Sequence, residues 1–329
     1  MSFRAPIFCL GVNAMSRKVL IDVDTGVDDA LGILLAIHSD DVDVAAITTV
    51  NGNVSLETAT LNTCKIVEMT GASHIPVVPG ANQPLVRTSY FEHRIHGADG
   101  IGGALAEFTP TKKPENDYAA DYMIELAKKS TQPLTFIMTG PLTNLAEALQ
   151  KCPELPTYLD EVIFMGGVVD DIGNVTPVAE YNMYVDPEAA RIVLEAGFKK
   201  LTQVGLDVTR KALLTEAHLQ QLDNTKYGEY IRQSTSDYMA RYIERNGVKA
   251  CAMHDPLAVA VAIQPALVTT QQLFVDIETS SRLCDGQTVC DFQGRLDQQP
   301  NVHVSLKVDA DAFLNLFVHT ISVPQEGSL

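Results

Sequence analysis

Positive charge is what this chain most lacks: 24 Lys and Arg stand against 41 Asp and Glu, a formal net charge of −17. No basic run offsets that field, which argues against nucleic acid or an anionic membrane as partner and for a small molecule. Cysteine is sparse and unpatterned. Cys9, Cys64, Cys152, Cys251, Cys284 and Cys290 include no C-x-x-C pair, so neither a zinc knuckle nor a dithiol motif is indicated, and buried reduced thiols suit a cytoplasmic protein. No apolar run approaches the roughly 18 residues that span a bilayer. There is also no Gly/Ser/Pro linker, composition shift or internal repeat. The 329 residues, 46% of them hydrophobic, therefore read as one domain with a substantial core.

Residues 1–17 read as an unstructured extension ahead of a domain spanning 18–329. Met15, just before the first strand, is an alternative start, and the short apolar run Pro6 to Val12 after Arg4 gives a faint signal-peptide pattern. From there strand-length apolar runs alternate with helical patterns. Val19 to Val23 precedes Ala30 to His38, Val44 to Val50 precedes Leu56 to Met69, and Leu134 to Met138 precedes Leu145 to Leu149. Val162 to Met165 precedes Pro187 to Ala196, and Leu201 to Val204 ends in Gly205. This rhythm predicts an α/β fold with a mostly parallel central sheet flanked by helices. Leu213 to Tyr242 reads as helices, with tyrosines at helical spacing that suit core or subunit contact better than a site.

Chemistry gathers first at Asp22-Val23-Asp24-Thr25-Gly26-Val27-Asp28-Asp29. Four carboxylates fall within eight residues where a buried strand gives way to a helix. Like charges that close repel, and buried carboxylates are costly unless something positive holds them, which points to a bound cation. Alternation along the strand puts Asp22 and Asp24 on one face. Asp28 and Asp29 fall in the first helical turn, where free N–H groups favour negative charge. An EF-hand is excluded, because its sixth-position glycine and twelfth-position glutamate are Val27 and Ile33 here. A Mg²⁺-dependent phosphohydrolase with Asp22 as nucleophile remains an alternative, although no well-placed lysine follows a strand. A ribose or nucleoside binding protein without turnover is another.

Polar residues recur in the loops after the strands: Thr48 to Asn53, His93 to Gly100, Met138 to Asn144, Asn174 to Asn182 and Met253-His254-Asp255-Pro256. Loops so placed can reach a site at the strand ends. Taken in this order, the blocks resemble the inosine-uridine-preferring nucleoside hydrolase family. The D-x-D-x-G-x-D-D signature falls on Asp22 to Asp29, and further blocks match at Ile47 to Asn53, Ile95-His96-Gly97, Val178 to Met183 and His254-Asp255-Pro256.

The resemblance implies a Rossmann-like fold, one tightly bound Ca²⁺, hydrolysis of the N-glycosidic bond of ribonucleosides in purine or pyrimidine salvage, and a homodimer or homotetramer. It implies Asp24, Asp29, Asp255 and the Thr139 carbonyl as Ca²⁺ ligands, with Asp24 also general base toward water. Asp28, Asn53, Asn174, Glu180 and Asn182 would hold the ribose. His254 would serve the leaving base and His96 would line its side. The absence of tryptophan rules out the stacked-tryptophan grip of a purine-specific branch of the family, leaving Tyr181, Tyr238 and Tyr242 as aromatic substitutes. Asp22, a pleat behind the mouth, is assigned to support.

Overall fold

The computed structural model describes residues 16–97 and 99–323. The expected extension therefore lies largely outside the described residues, except that Arg17 already opens the first strand. In chain order the elements are β1 (Arg17–Val23), α1 (Val27–His38), β2 (Val42–Thr49), α2 (Leu56–Met69), β3 (Val77–Pro79), α3 (His93–His96), α4 (Ala119–Lys129), β4 (Leu134–Met138), α5 (Thr143–Lys151) and β5 (Glu161–Met165). Then follow α6 (Tyr181–Val185), α7 (Pro187–Glu195), β6 (Leu201–Val204), α8 (Leu206–Thr209), β7 (Leu213–Thr215), α9 (Glu216–Leu222) and α10 (Gly228–Asn246). The last are β8 (Ala250–Ala252), α11 (His254–Ile263), β9 (Val268–Leu273), β10 (Val275–Ile277), β11 (Thr288–Cys290), β12 (Val302–Val308) and α12 (Ala310–Ser322).

Eight strands form the central sheet in the order β3-β2-β1-β4-β5-β6-β12-β9. All its pairings are parallel except β12 with β9. Strands β4, β5 and β6 are buried along their whole length and β1 from Val19 onward, because helices cover both sheet faces and each side chain meets a core whichever way it points. The chain winds outward from β1 to β3, then returns to β4 on the other flank. The gap between β1 and β4 is thus the topological switch point, where a crevice opens at the carboxyl ends of the strands.

Two apolar helices lie against each other beneath that crevice. In α1 and α11 nearly every residue is buried, and the two pack together. Gly32 permits the approach, since a Cβ there would already touch Val259 at 3.4 Å. Their N-termini deliver Asp28 and Asp29 from one side and Asp255 from the other. The stretch expected to be helical from Leu213 departs at its start. Leu213–Thr215 is a strand, β7, paired antiparallel with β8, because its short apolar run finds a partner edge that helical spacing alone does not reveal. Among the described residues no helix is long and apolar enough to cross a membrane, and Cys64, Cys152, Cys251, Cys284 and Cys290 are free thiols.

Candidate active site

Backbone register brings the acids together. Asp22 pairs with Thr48 on β2 and Met138 on β4, so Asp24, Val50 and Thr139 all emerge where the three strands end. Asp24 is fully buried, and its Oδ2 accepts the Asn53 backbone N–H at 2.6 Å while Oδ1 has no hydrogen-bond partner. Asp29 Oδ2 accepts the Gly26 N–H at 2.8 Å and the Asn53 side-chain amide at 3.3 Å; its Oδ1 accepts the Thr139 hydroxyl at 2.8 Å. Oxygens of Asp28, Asp29 and Asp255 all lie within 4.8 Å of one another.

Burial is the first cause of an upward pKa shift at all four of Asp24, Asp28, Asp29 and Asp255, and mutual repulsion adds to it at Asp24, Asp28 and Asp255. Buried oxygens without donors, on closely opposed carboxylates and with no lysine or arginine among the described residues paired with them, are the donor set that suits a hard divalent cation. The unpartnered oxygens of Asp24 and Asp28 meet that test directly. The helix N-termini of α1 and α11 add favourable dipoles.

Asp22 stands apart. Its Oδ1 accepts from the Thr48 hydroxyl and from the Asn144 side-chain amide at 2.8 Å, and it does not line the cavity. Asp24 lies one residue beyond the end of β1, where strict strand alternation no longer applies. Burial lifts its carboxyl to about 7, and Asn144 also bonds Thr49 O and Ala81 N, tying three strand ends together. The phosphohydrolase alternative finds no support at Asp22, whose Oδ1 is taken up by Thr48 and Asn144 at the strand ends. Asp22→Asn keeps an acceptor for Thr48 and imitates a neutral acid. It should leave kcat/KM within about tenfold and cost under about 1.5 kcal/mol in a denaturation experiment, and a loss of several thousandfold would contradict a supporting role.

Above the acids opens a cavity of about 910 Å³, at the upper end of the usual range for small-molecule sites. Asp28, Asn53, His96, Thr139, Asn174, Glu180, Tyr181, Asn182, Tyr238, Tyr242, His254 and Asp255 line it. Asp24 and Asp29 lie beneath. Glu180 caps α6 by accepting the Asn182 and Met183 N–H groups, and burial raises it to about 7. Asn182 donates to Thr139 O at 2.7 Å and to Met165 O at 3.1 Å. Asn174, in the loop after β5, keeps a buried side-chain oxygen without a partner.

The two histidines differ in setting. His96 Nδ1 accepts the Val27 N–H at 3.1 Å, which leaves Nε2 to carry the ring hydrogen. That approach requires Gly26, where a Cβ would lie 2.5 Å from the same nitrogen. His254, half-buried at the start of α11, has Nδ1 2.7 Å from the Thr209 hydroxyl. Burial, then the Arg210 charge, lowers it to about 4, so the neutral ring prevails.

The tyrosines divide. Tyr227 and Tyr230 are core, as expected for the stretch, whereas Tyr238 and Tyr242, one turn apart on α10, stack at the cavity wall with ring centroids 6.0 Å apart. The Tyr181 hydroxyl donates to Tyr90 O at 2.6 Å. Sequence reasoning missed Tyr90, Glu92, Ile172 and Arg210 as cavity residues. They sit on loops without periodicity, and only nearness to the matched blocks could have flagged them.

Comparison with known proteins agrees with this geometry. A family model described as inosine-uridine preferring nucleoside hydrolase matches residues 19–315. The chain is 35% identical over 309 residues to a pyrimidine-specific ribonucleoside hydrolase RihA of Shigella boydii, covering 92% of this chain and 97% of that protein. Among solved structures it is similar to a plant nucleoside hydrolase, PpNRh1, with a TM-score of 0.89 and 32% identity over 94% of this chain and 99% of the other. A purine-preferring ribonucleoside hydrolase from Gardnerella vaginalis superposes with a TM-score of 0.86 and 34% identity, covering 93% and 98% of the two chains.

Proposed function

This chain belongs to the inosine-uridine preferring nucleoside hydrolase family and is an N-glycosyl hydrolase, and from that premise we propose that it splits ribonucleosides into free base and ribose with the help of one Ca²⁺. The observation that carries this reading is the buried set of carboxylates, two of them with unpartnered oxygens, at the floor of a nucleoside-sized cavity. A non-catalytic binder would have no use for such a floor.

Asp24, Asp29, Asp255 and the Thr139 carbonyl would hold the cation, and Asp28 is near enough to share in it. When bound, Ca²⁺ supplies a Lewis acid that acidifies water and fixes ribose hydroxyls. Asp24, with one oxygen anchored by Asn53, takes the proton from the attacking water through the other. Asp28, Asn53, Asn174, Glu180 and Asn182 hold the sugar. Their oxygens face a ring that gains positive charge as the C1′–N bond stretches, so they act in the transition state more than in the ground state. The bond's electron pair leaves with the base toward His254, and His96 would line the base's side of the cavity. Tyr181, Tyr238 and Tyr242 offer ring faces that suit either purine or pyrimidine.

The deciding experiment incubates the protein with a panel of ribonucleosides, with and without a chelator, and assays free ribose. Ribose release from none of them would end the proposal. Chelation should abolish turnover and also lower the melting temperature, because the cation binds only the folded arrangement of acids. Ca²⁺ at about 100 times its Kd stabilises by about 2.7 kcal/mol, or roughly 4 °C for a chain of this size. A melting temperature indifferent to chelator, measured by scanning calorimetry, would place the cation elsewhere.

A further inference from the structure

The four-residue helix α8 reaches two separate walls of the cavity. Asp207 accepts the Val169 N–H at 3.0 Å and the Asp170 N–H at 2.8 Å, while Arg210, at the helix C-cap, donates to Asp171, to Ile172 O at 2.6 Å and to Gly173 O at 2.9 Å. The residue after that clamp is Asn174. Between the two clamping residues sits Thr209, fully buried, with its hydroxyl on His254 Nδ1 at 2.7 Å. A β-branched side chain in a helical turn has few rotamers, and the turn itself is pinned through Leu206 N–H to Gly167 O at 2.9 Å. The hydroxyl is therefore a fixed seat for the imidazole.

We propose that Thr209 is a positioning residue for departure of the base: its hydroxyl donates to His254 Nδ1, so that the ring keeps its N–H on Nε2 and gives it to the cavity. The inference rests on the assignment of His254 to the leaving group. A neutral imidazole has one N–H. Were it on Nδ1, it would be used on Thr209, and an acceptor nitrogen would meet a base that is gaining electrons. With the hydrogen on Nε2, the same ring donates a hydrogen bond to the developing negative charge. The step balances without proton transfer from histidine. The C1′–N bond breaks with its pair on the base, water oxygen bonds C1′, the water proton goes to Asp24, and the hydrogen-bonded base then takes a proton from solvent.

The test compares Thr209→Val, which keeps the shape but removes the hydroxyl, with Thr209→Ser, which restores it. On uridine or inosine the valine variant should lose roughly 10- to 100-fold in kcat with KM nearly unchanged, and serine should recover most of that loss. On 4-nitrophenyl β-ribofuranoside, whose leaving group departs without such help, the loss should be far smaller. Nitrogen-15 NMR of histidine-labelled wild type should show Nε2 protonated, and the valine variant a mixture of tautomers. Equal losses on both substrates, no loss on nucleosides, or an Nδ1–H ring in the wild type would each overturn the proposal. Should the wild type release ribose from no nucleoside, the functional reading fails while the tautomer is still decided by NMR.

Discussion

Asp24→Asn is expected to lower kcat/KM for ribonucleosides by about a thousandfold or more, since it removes a general base and a cation ligand in one change. Asparagine keeps the size of the side chain and an oxygen for the Asn53 N–H that Asp24 now accepts at 2.6 Å, so the strand end need not move. The informative part is the sign of the stability change. In chelated protein Asp24 is buried beside Asp28 and Asp29, and burial and repulsion both push its pKa up, so at neutral pH folding must either bury its charge or take up a proton. Removing the ionisable group should stabilise the cation-free fold. With cation present, the same change removes a ligand and weakens the stabilisation that the ion brings. Calorimetry with and without chelator should thus show the variant above wild type in one condition and below it in the other. A variant within tenfold of wild-type activity would remove Asp24 from the mechanism.

Gly52→Ala should be nearly as damaging although it changes no functional group. A Cβ at Gly52 would lie 2.0 Å from Asp24 Oδ2, 2.7 Å from Cγ and 2.8 Å from Cβ. The whole short side chain is in the way, not a flexible tip, so Asp24 must shift bodily or the loop must withdraw with Asn53. Displacement of this kind near the reacting atoms costs about a hundredfold in rate, and the overpacking costs about 1–3 kcal/mol. Ribose release and a denaturant midpoint measure the two effects. Wild-type values for both would mean that the loop yields without moving Asp24.

Much of this site was legible in the letters because local rules governed it. The strand-then-helix reading around Asp22 to Asp29 depends on a buried apolar run, a glycine and a first-turn acid pair, all within one βα unit. The Leu56–Met69 helix begins where Ser55 caps it. What could not be read required long-range partners. Strand β12 pairs with β6 and with antiparallel β9, and no local pattern announces which edge a late strand will find. The alternation that puts Asp22 and Asp24 on one face reaches one residue past the end of β1, so it does not by itself fix where Asp24 points. Thr209 and Arg210 carry no motif. Their importance appears only once β6 and β5 lie side by side and bring α8 against the loop of Asn174.

The pairing of α1 with α11 also sets a timetable. Helix α1 is apolar on nearly all sides, and the element that covers it and completes the acid cluster lies more than two hundred residues later. At ribosomal speeds of about 5–20 residues per second, the early helix emerges on the order of ten to forty seconds before its partner. Through that interval it presents an uncovered hydrophobic surface and a half-built cation site, so the nascent chain, more than the finished enzyme, is the form that needs protection from aggregation.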